Sequence, residues 1–124
     1  MSIYHRRYQA LLLALWISLI AAFWLFFAPV QAGGLATYVI VAGQSMEPKL
    51  HYGDLVVVHQ ASNYQVGDVV AYNNADLGHY VIHRIIGENL GRFLLKGDNN
   101  SWTDDYEPVQ KEVLGKLWIH LPRF

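Results

Sequence analysis

The chain has 124 residues, no cysteine, and 9 lysines and arginines against 10 aspartates and glutamates, a formal net charge of −1 at pH 7. That length has room for one domain. A balance so close to neutral gives no electrostatic footprint for nucleic acid, and the lack of cysteine excludes a thiol nucleophile and a cysteine-based metal centre.

The first element in chain order is apolar. No charged side chain occurs between Tyr8 and Met46, and residues 10–30, ALLLALWISLIAAFWLFFAPV, are apolar apart from Ser18 and the near-terminal Pro29. As a helix rising about 1.5 Å per residue they span roughly 30 Å, the thickness of a bilayer's hydrocarbon core. We therefore expect a cytoplasmic N-terminus over 1–9, a transmembrane anchor over 10–32 and an extracytoplasmic domain over 33–124. A cleaved signal peptide competes with this reading, because Arg6 and Arg7 make a basic start and Val30-Gln31-Ala32 can pass for a small-residue cleavage site. The run exceeds the roughly 7–15 apolar residues of such a peptide, and bulky Trp16, Phe23, Trp24, Phe26 and Phe27 suit a segment that stays in lipid. Arginines stand only on its N-terminal side, so the positive-inside rule puts that end in the cytoplasm. The expected location is the cytoplasmic (plasma) membrane, crossed once.

Beyond Gly33-Gly34 the pattern changes to short β-branched and aromatic runs punctuated by glycine, asparagine and aspartate, which predicts a mainly β domain. Strands are expected at 37–41, 55–59, 68–72, 79–86, 92–96 and 113–121. Gly53-Asp54, Gly67-Asp68 and the segments 73–78 and 87–91 carry the turn chemistry between them. The fold class is thus a small all-β domain preceded by a single N-terminal transmembrane helix.

Within this frame Ser45 stands out by its placement. A strand ends near Ala42, Gly43 permits a tight backbone and Pro48 fixes the exit, so the hydroxyl can sit on a rigid loop beside main-chain N–H groups. A serine becomes a nucleophile only when a positioned base takes its proton. Of six histidines, His79 and His83 lie four apart in HYVIHRII. A helix would make them a metal pair, but in a strand they stand about 13 Å apart, too far to chelate one ion. We expect no metal and no cofactor. His83 is as well explained, on its own, as a half-buried strand histidine. The loop KGDNNSWTDDY (96–106) carries Asp98, Asp104 and Asp105; a carboxylate of this kind can hold a histidine base in the right tautomer. A desolvated Lys96 or Lys116 is the other option, as the amine of a serine–lysine dyad.

Taken together, Ser45-Met46-Glu47-Pro48, Gly53-Asp54-Leu55, Gly67-Asp68-Val69-Val70, His83-Arg84, Lys96-Gly97-Asp98-Asn99-Asn100 and Asp104-Asp105 resemble, in the same order, the type I signal peptidases. S-M-x-P alone also suits the related self-cleaving repressor proteases. The resemblance covers the anchor and the chain from about Thr37 onward. It implies a membrane-anchored serine endopeptidase that removes N-terminal signal peptides from exported preproteins after small residues in Ala-x-Ala-like sites. The pair His83-Arg84 resembles the histidine type of the endoplasmic reticulum and archaea, not the lysine type of most bacteria. In that type Ser45 corresponds to the nucleophile, His83 to the general base and Asp104, six residues after the aspartate of G-D-N, to the catalytic acid. Asp98 corresponds to a supporting acid, with Asp105 as runner-up. Two departures follow: Gly43 stands where the family often has a serine oxyanion donor, and the chain stops at Leu121-Pro-Arg-Phe124 without the second membrane segment of some relatives. Exported preproteins, the lipid bilayer and partner subunits or translocation machinery are the expected partners. A non-enzymatic β-domain for binding, an inactive subunit and a serine–lysine peptidase are the alternatives.

Overall fold

The computed structural model describes residues 3–123. Met1, Ser2 and Phe124, at the outer ends of the segments expected over 1–9 and 33–124, lie outside the described residues. The chain divides into two compact units, one ending at Leu35 and the other beginning at Ala36.

The first unit is the helix α1 (Ile3–Phe27), long and apolar enough to cross a membrane. Its Leu and Ala content favours a helix, and neither Gly nor Pro interrupts it. It begins before the predicted anchor, taking in Arg6 and Arg7, and stops short of residue 32. Pro29 is the physical reason for the stop. It has no N–H to continue the ladder, and the residue before a proline is driven out of the helical region. A short 3₁₀ turn follows (Val30–Ala32), closed by Gly33 at φ 83°. Gly34 then passes so close to Ala28 that an added Cβ would lie 1.9 Å from its carbonyl oxygen.

The second unit is one six-stranded antiparallel sheet: β1 (Ala36–Ile40), β2 (Leu55–His59), β3 (Val69–Asn74), β4 (His79–Asn89), β5 (Arg92–Lys96) and β6 (Val113–Leu121). The strands lie in the order β1-β2-β6-β3-β4-β5, so the last strand of the sequence sits between β2 and β3 in the middle. The strands expected at 55–59, 92–96 and 113–121 coincide with β2, β5 and β6. The largest difference is in β4, which runs past the predicted turn at 87. A bulge between Ile85 and Gly87 carries the strand on, and the reversal narrows to Leu90-Gly91, both at positive φ (51° and 77°) as a tight hairpin turn requires.

Both faces of the sheet are covered, which is why residues 69–72 of β3 read as an apolar run with no alternation. Val69 and Ala71 pack with Val41, Met46, Leu50, Val56 and Val58 on one face. Val70 and Tyr72 pack with Tyr64, Ile85, Phe93, Leu95 and Val113 on the other. The lid on the first face is the loop between β1 and β2, whose Met46 and Leu50 are fully buried. Truncating either to alanine costs about 2–5 kcal/mol, a large part of the ~5–15 kcal/mol that holds a small domain together. The loop is thus part of the core.

That loop closes on a buried carboxylate. Asp54 accepts hydrogen bonds from the main-chain N–H groups of His51 (2.9 Å) and Arg123 (2.8 Å), and His120 Nε2 lies 2.7 Å from it. The Arg123 and His51 N–H groups and then His120 hold its carboxyl well below the usual carboxylate range. An unfolded aspartate titrates near ~3.9, so this lowering adds stability above that pH and withdraws it as pH falls toward the folded value. Asp98 is lowered in the same direction by Arg84. Thermal melts are therefore expected to weaken on acidification from about pH 5 to pH 3. Asp54→Asn should melt lower at pH 7 and show a shallower acid loss; a wild-type melting temperature that holds steady across this range would contradict it.

Candidate active site

The serine loop is built to be stiff. From the end of β1, Val41 N–H reaches the Asp54 carbonyl and Gly53 N–H returns to the Val41 carbonyl, pinching the loop at its base. Met46 and Leu50, both buried in the core, anchor its middle. Ser45 is held half-exposed between these anchors.

His83 comes from the centre of β4, paired with Val70 of β3, and is buried. Its Nε2 is 2.9 Å from Ser45 Oγ and its Nδ1 is 2.5 Å from Asp104 Oδ2. The Asp104 main-chain N–H donates to the Leu95 carbonyl (2.8 Å), tying the acidic loop to β5. With Nδ1–H donating to the carboxylate, Nε2 keeps its lone pair directed at the serine hydroxyl, which is the arrangement that accepts a proton. Three residues far apart in sequence are thus aligned as hydroxyl, imidazole and carboxylate.

The other acids occupy different places. Asp98 forms a two-pronged pair with Arg84, at 2.8 Å from Nε and 2.7 Å from Nη2, while Arg84 Nη1 donates to the Gly67 carbonyl. This fixes the loop after β5 against β4. Asp105 is exposed on the rim of the cleft. Lys96, at the end of β5, acts on Asp98 by its charge. Lys116 is exposed on β6. His79 is exposed and turns to the Tyr80 carbonyl, His51 and His120 attend Asp54, and His5 belongs to α1.

Ser45 and His83 open onto a cleft of about 770 Å³ walled by Val39, Val41, Met46, Leu50, Val81 and Ile82. Ser45, His83 and Asp104 thus stand together at the edge of a largely apolar trough.

Comparison with known proteins points to a peptidase. Residues 20–118 match the family described as Peptidase S24-like. A protein of Komagataella phaffii named signal peptidase complex catalytic subunit SEC11 is 31% identical over 99% of this chain and 82% of its own. The chain belongs to the type I signal peptidase-like family. Proteins of the same name from Clavispora lusitaniae and Yarrowia lipolytica are 31% and 30% identical over 76% and 75% of this chain. The chain matches a little under two thirds of their length, 64% and 62%.

For a signal peptidase-like protein the loop 97–100 has a clear task that composition alone hides. Asn99 N–H donates to the Ser45 carbonyl (2.8 Å), Asn99 Nδ2 to the Gln44 carbonyl (3.0 Å), and Asp98 N–H points at Met46 Sδ (3.4 Å). The two loops are clasped backbone to backbone. Gly97 makes this approach possible: a Cβ there would stand 2.6 Å from the Ser45 carbonyl oxygen and 3.0 Å from His83 Nε2. Gly97→Ala must displace one of them. A shift of about 1 Å in a reacting group can cost ~10²-fold. We expect cleavage to drop by that order with a lower melting temperature; wild-type turnover in Gly97→Ala would show that the clasp does not position the serine.

Proposed function

We propose that the chain is a membrane-anchored serine endopeptidase that cleaves N-terminal signal peptides from exported preproteins. The observation that carries this reading is the continuous line from Ser45 Oγ through His83 to Asp104 at the wall of an apolar cleft. Ser45 attacks the scissile carbonyl while His83 takes its proton, and Asp104 holds the imidazole's tautomer and stabilises the imidazolium. His83 then returns the proton to the leaving amine, and water releases the acyl-enzyme by the same steps. Main-chain N–H groups, including that of Ser45, receive the oxyanion, because Gly43 supplies no side-chain donor. β1 is an edge strand that runs directly into the serine loop, so an extended substrate can pair along it. Small residues one and three positions before the cut, alanine above all, are the proposed specificity.

The anchor is α1, with residues 1–9 in the cytoplasm, the span within 10–32, and residues 33–124 on the opposite side of the membrane. The relatives' shared name is that of a complex subunit, and we extend to this chain the use of partner subunits. That name lends no support to the plasma membrane in particular, and the reading commits only to the non-cytoplasmic face. Incubating the detergent-solubilised protein with a preprotein and sequencing the new N-terminus tests the activity; a new end after a small residue is expected, and an intact preprotein would count against it. Sequencing the protein's own N-terminus tests the anchor, since a mature start at Gly33 would mean that α1 is removed.

A further inference from the structure

One oxygen of Asp104 serves two donors. Oδ2 lies 2.5 Å from His83 Nδ1 and 3.1 Å from the hydroxyl of Tyr72. Tyr72 belongs to β3, flanked by β4 and β6, and is 1% exposed. Its ring fills the core beside Ile85, Phe93 and Leu95 and stacks on Tyr106, with ring planes 4° apart and centroids at 6.1 Å. Phenylalanine would do that packing equally well. A buried phenol is costly without a partner, so the hydroxyl needs a reason at this position, and the carboxylate beside His83 supplies it.

We propose that Tyr72 is a positioning residue of the peptidase site, its hydroxyl donating to Asp104 and fixing the carboxylate's rotation toward His83. The proposal rests on the reading of Ser45, His83 and Asp104 as nucleophile, base and acid. The phenol has one proton to give. The Asn74 side chain hydrogen-bonds the Tyr72 phenol as well, which as an amide donor leaves the proton for Asp104. Tyr106, the other ionisable neighbour, has its own hydroxyl committed to Glu112. Burial, and then the Asp104 charge, push the Tyr72 phenol above its ordinary range, so it stays an O–H donor wherever the peptidase works. A second donor on Oδ2 also draws off part of the negative charge that faces the imidazolium. Tyr72 therefore moderates the base as well as aligning it.

Tyr72→Phe in the full-length, detergent-solubilised protein isolates the hydroxyl while keeping the ring. We expect kcat to fall about tenfold, the scale of one hydrogen bond to a charged group, with KM within about twofold. The acid limb of the kcat/KM profile should move to higher pH, because a carboxylate freed of one donor holds the imidazolium more tightly. A lower melting temperature with unchanged kcat and an unmoved limb would assign Tyr72 to packing alone and overturn the proposal. A second readout does not need turnover: NMR titration of the His83 imidazole in Ser45→Ala protein, with and without Tyr72→Phe. An upward-moved midpoint supports the proposal, and an unmoved one overturns it. If Ser45→Ala protein still cleaves, it is the assignment of the nucleophile that fails, and the titration continues to decide whether Tyr72 acts on the Asp104–His83 pair.

Discussion

Ser45→Ala is expected to lower kcat by about 10⁴-fold or more and to leave a folded, membrane-bound protein. The change removes a half-exposed hydroxyl whose hydrogen bond goes to His83, while the anchors of the loop, Met46 and Leu50, stay in the core. The main-chain clasp from Asn99 also survives, since it uses the Ser45 carbonyl. Stability should thus change little while chemistry stops. Initial rates on a preprotein, paired with circular-dichroism melts, separate the two effects. Processing at near wild-type rate in Ser45→Ala would end the serine mechanism, whatever the geometry around it.

The second large effect separates histidine from lysine as the base. His83→Ala should abolish cleavage, by about 10⁴-fold or more in kcat. Lys96→Ala should keep most of it, because Lys96 bears on Asp98 and the hydroxyl of Ser45 is bonded to His83. Asp104→Asn keeps the shape but presents an amide that can force the wrong imidazole tautomer, and a loss approaching 10⁴-fold is expected. Asp105→Asn, altering an exposed carboxylate on the rim, should be mild. The reverse pattern, an inactive Lys96→Ala beside an active His83→Ala, would hand the role to a serine–lysine pair.

The strands were legible where short β-branched or other apolar runs met turn residues cleanly, as at 55–59 and 92–96. They were less so at Gly87, where the sequence signal for a turn and for a bulge is the same glycine, and only the pairing partner decides between them. The end of α1 at Phe27 was not legible from apolarity, which runs on through Val30, but from Pro29, where the hydrogen-bond ladder loses a donor. At the site, Ser45, His83 and Asp104 could be named from motif order, yet no local pattern says that their side chains meet. Gly97 was legible only as part of a motif, without its task, and Tyr72 was not legible at all. Each owes its place to a contact with a residue distant in the chain, Ser45 for one and Asp104 for the other. The repeated Gly-Asp pairs at 53, 67 and 97 offered a hint, since the last of them interrupts a strand exit beside three acids, but composition gives it the look of a solvated turn.

The position of β6 sets a schedule. Made after every other strand, it enters between β2 and β3 and supplies the pairings on both of its sides. Until it arrives, the piece bearing Ser45 (β1 and β2) and the piece bearing His83 and Asp104 (β3 to β5) have no strand in common. Gly115 must also slide in against the His59 backbone, where a Cβ would come within 2.7 Å. During synthesis Ser45 and His83 therefore lie on pieces of sheet joined only by loop and side-chain contacts, and a nascent chain ending at Glu112, which carries every residue of the line from Ser45 to Asp104, should cleave far more slowly than the full chain. Insertion of a central strand depends on contacts distant in sequence, which fold slowly.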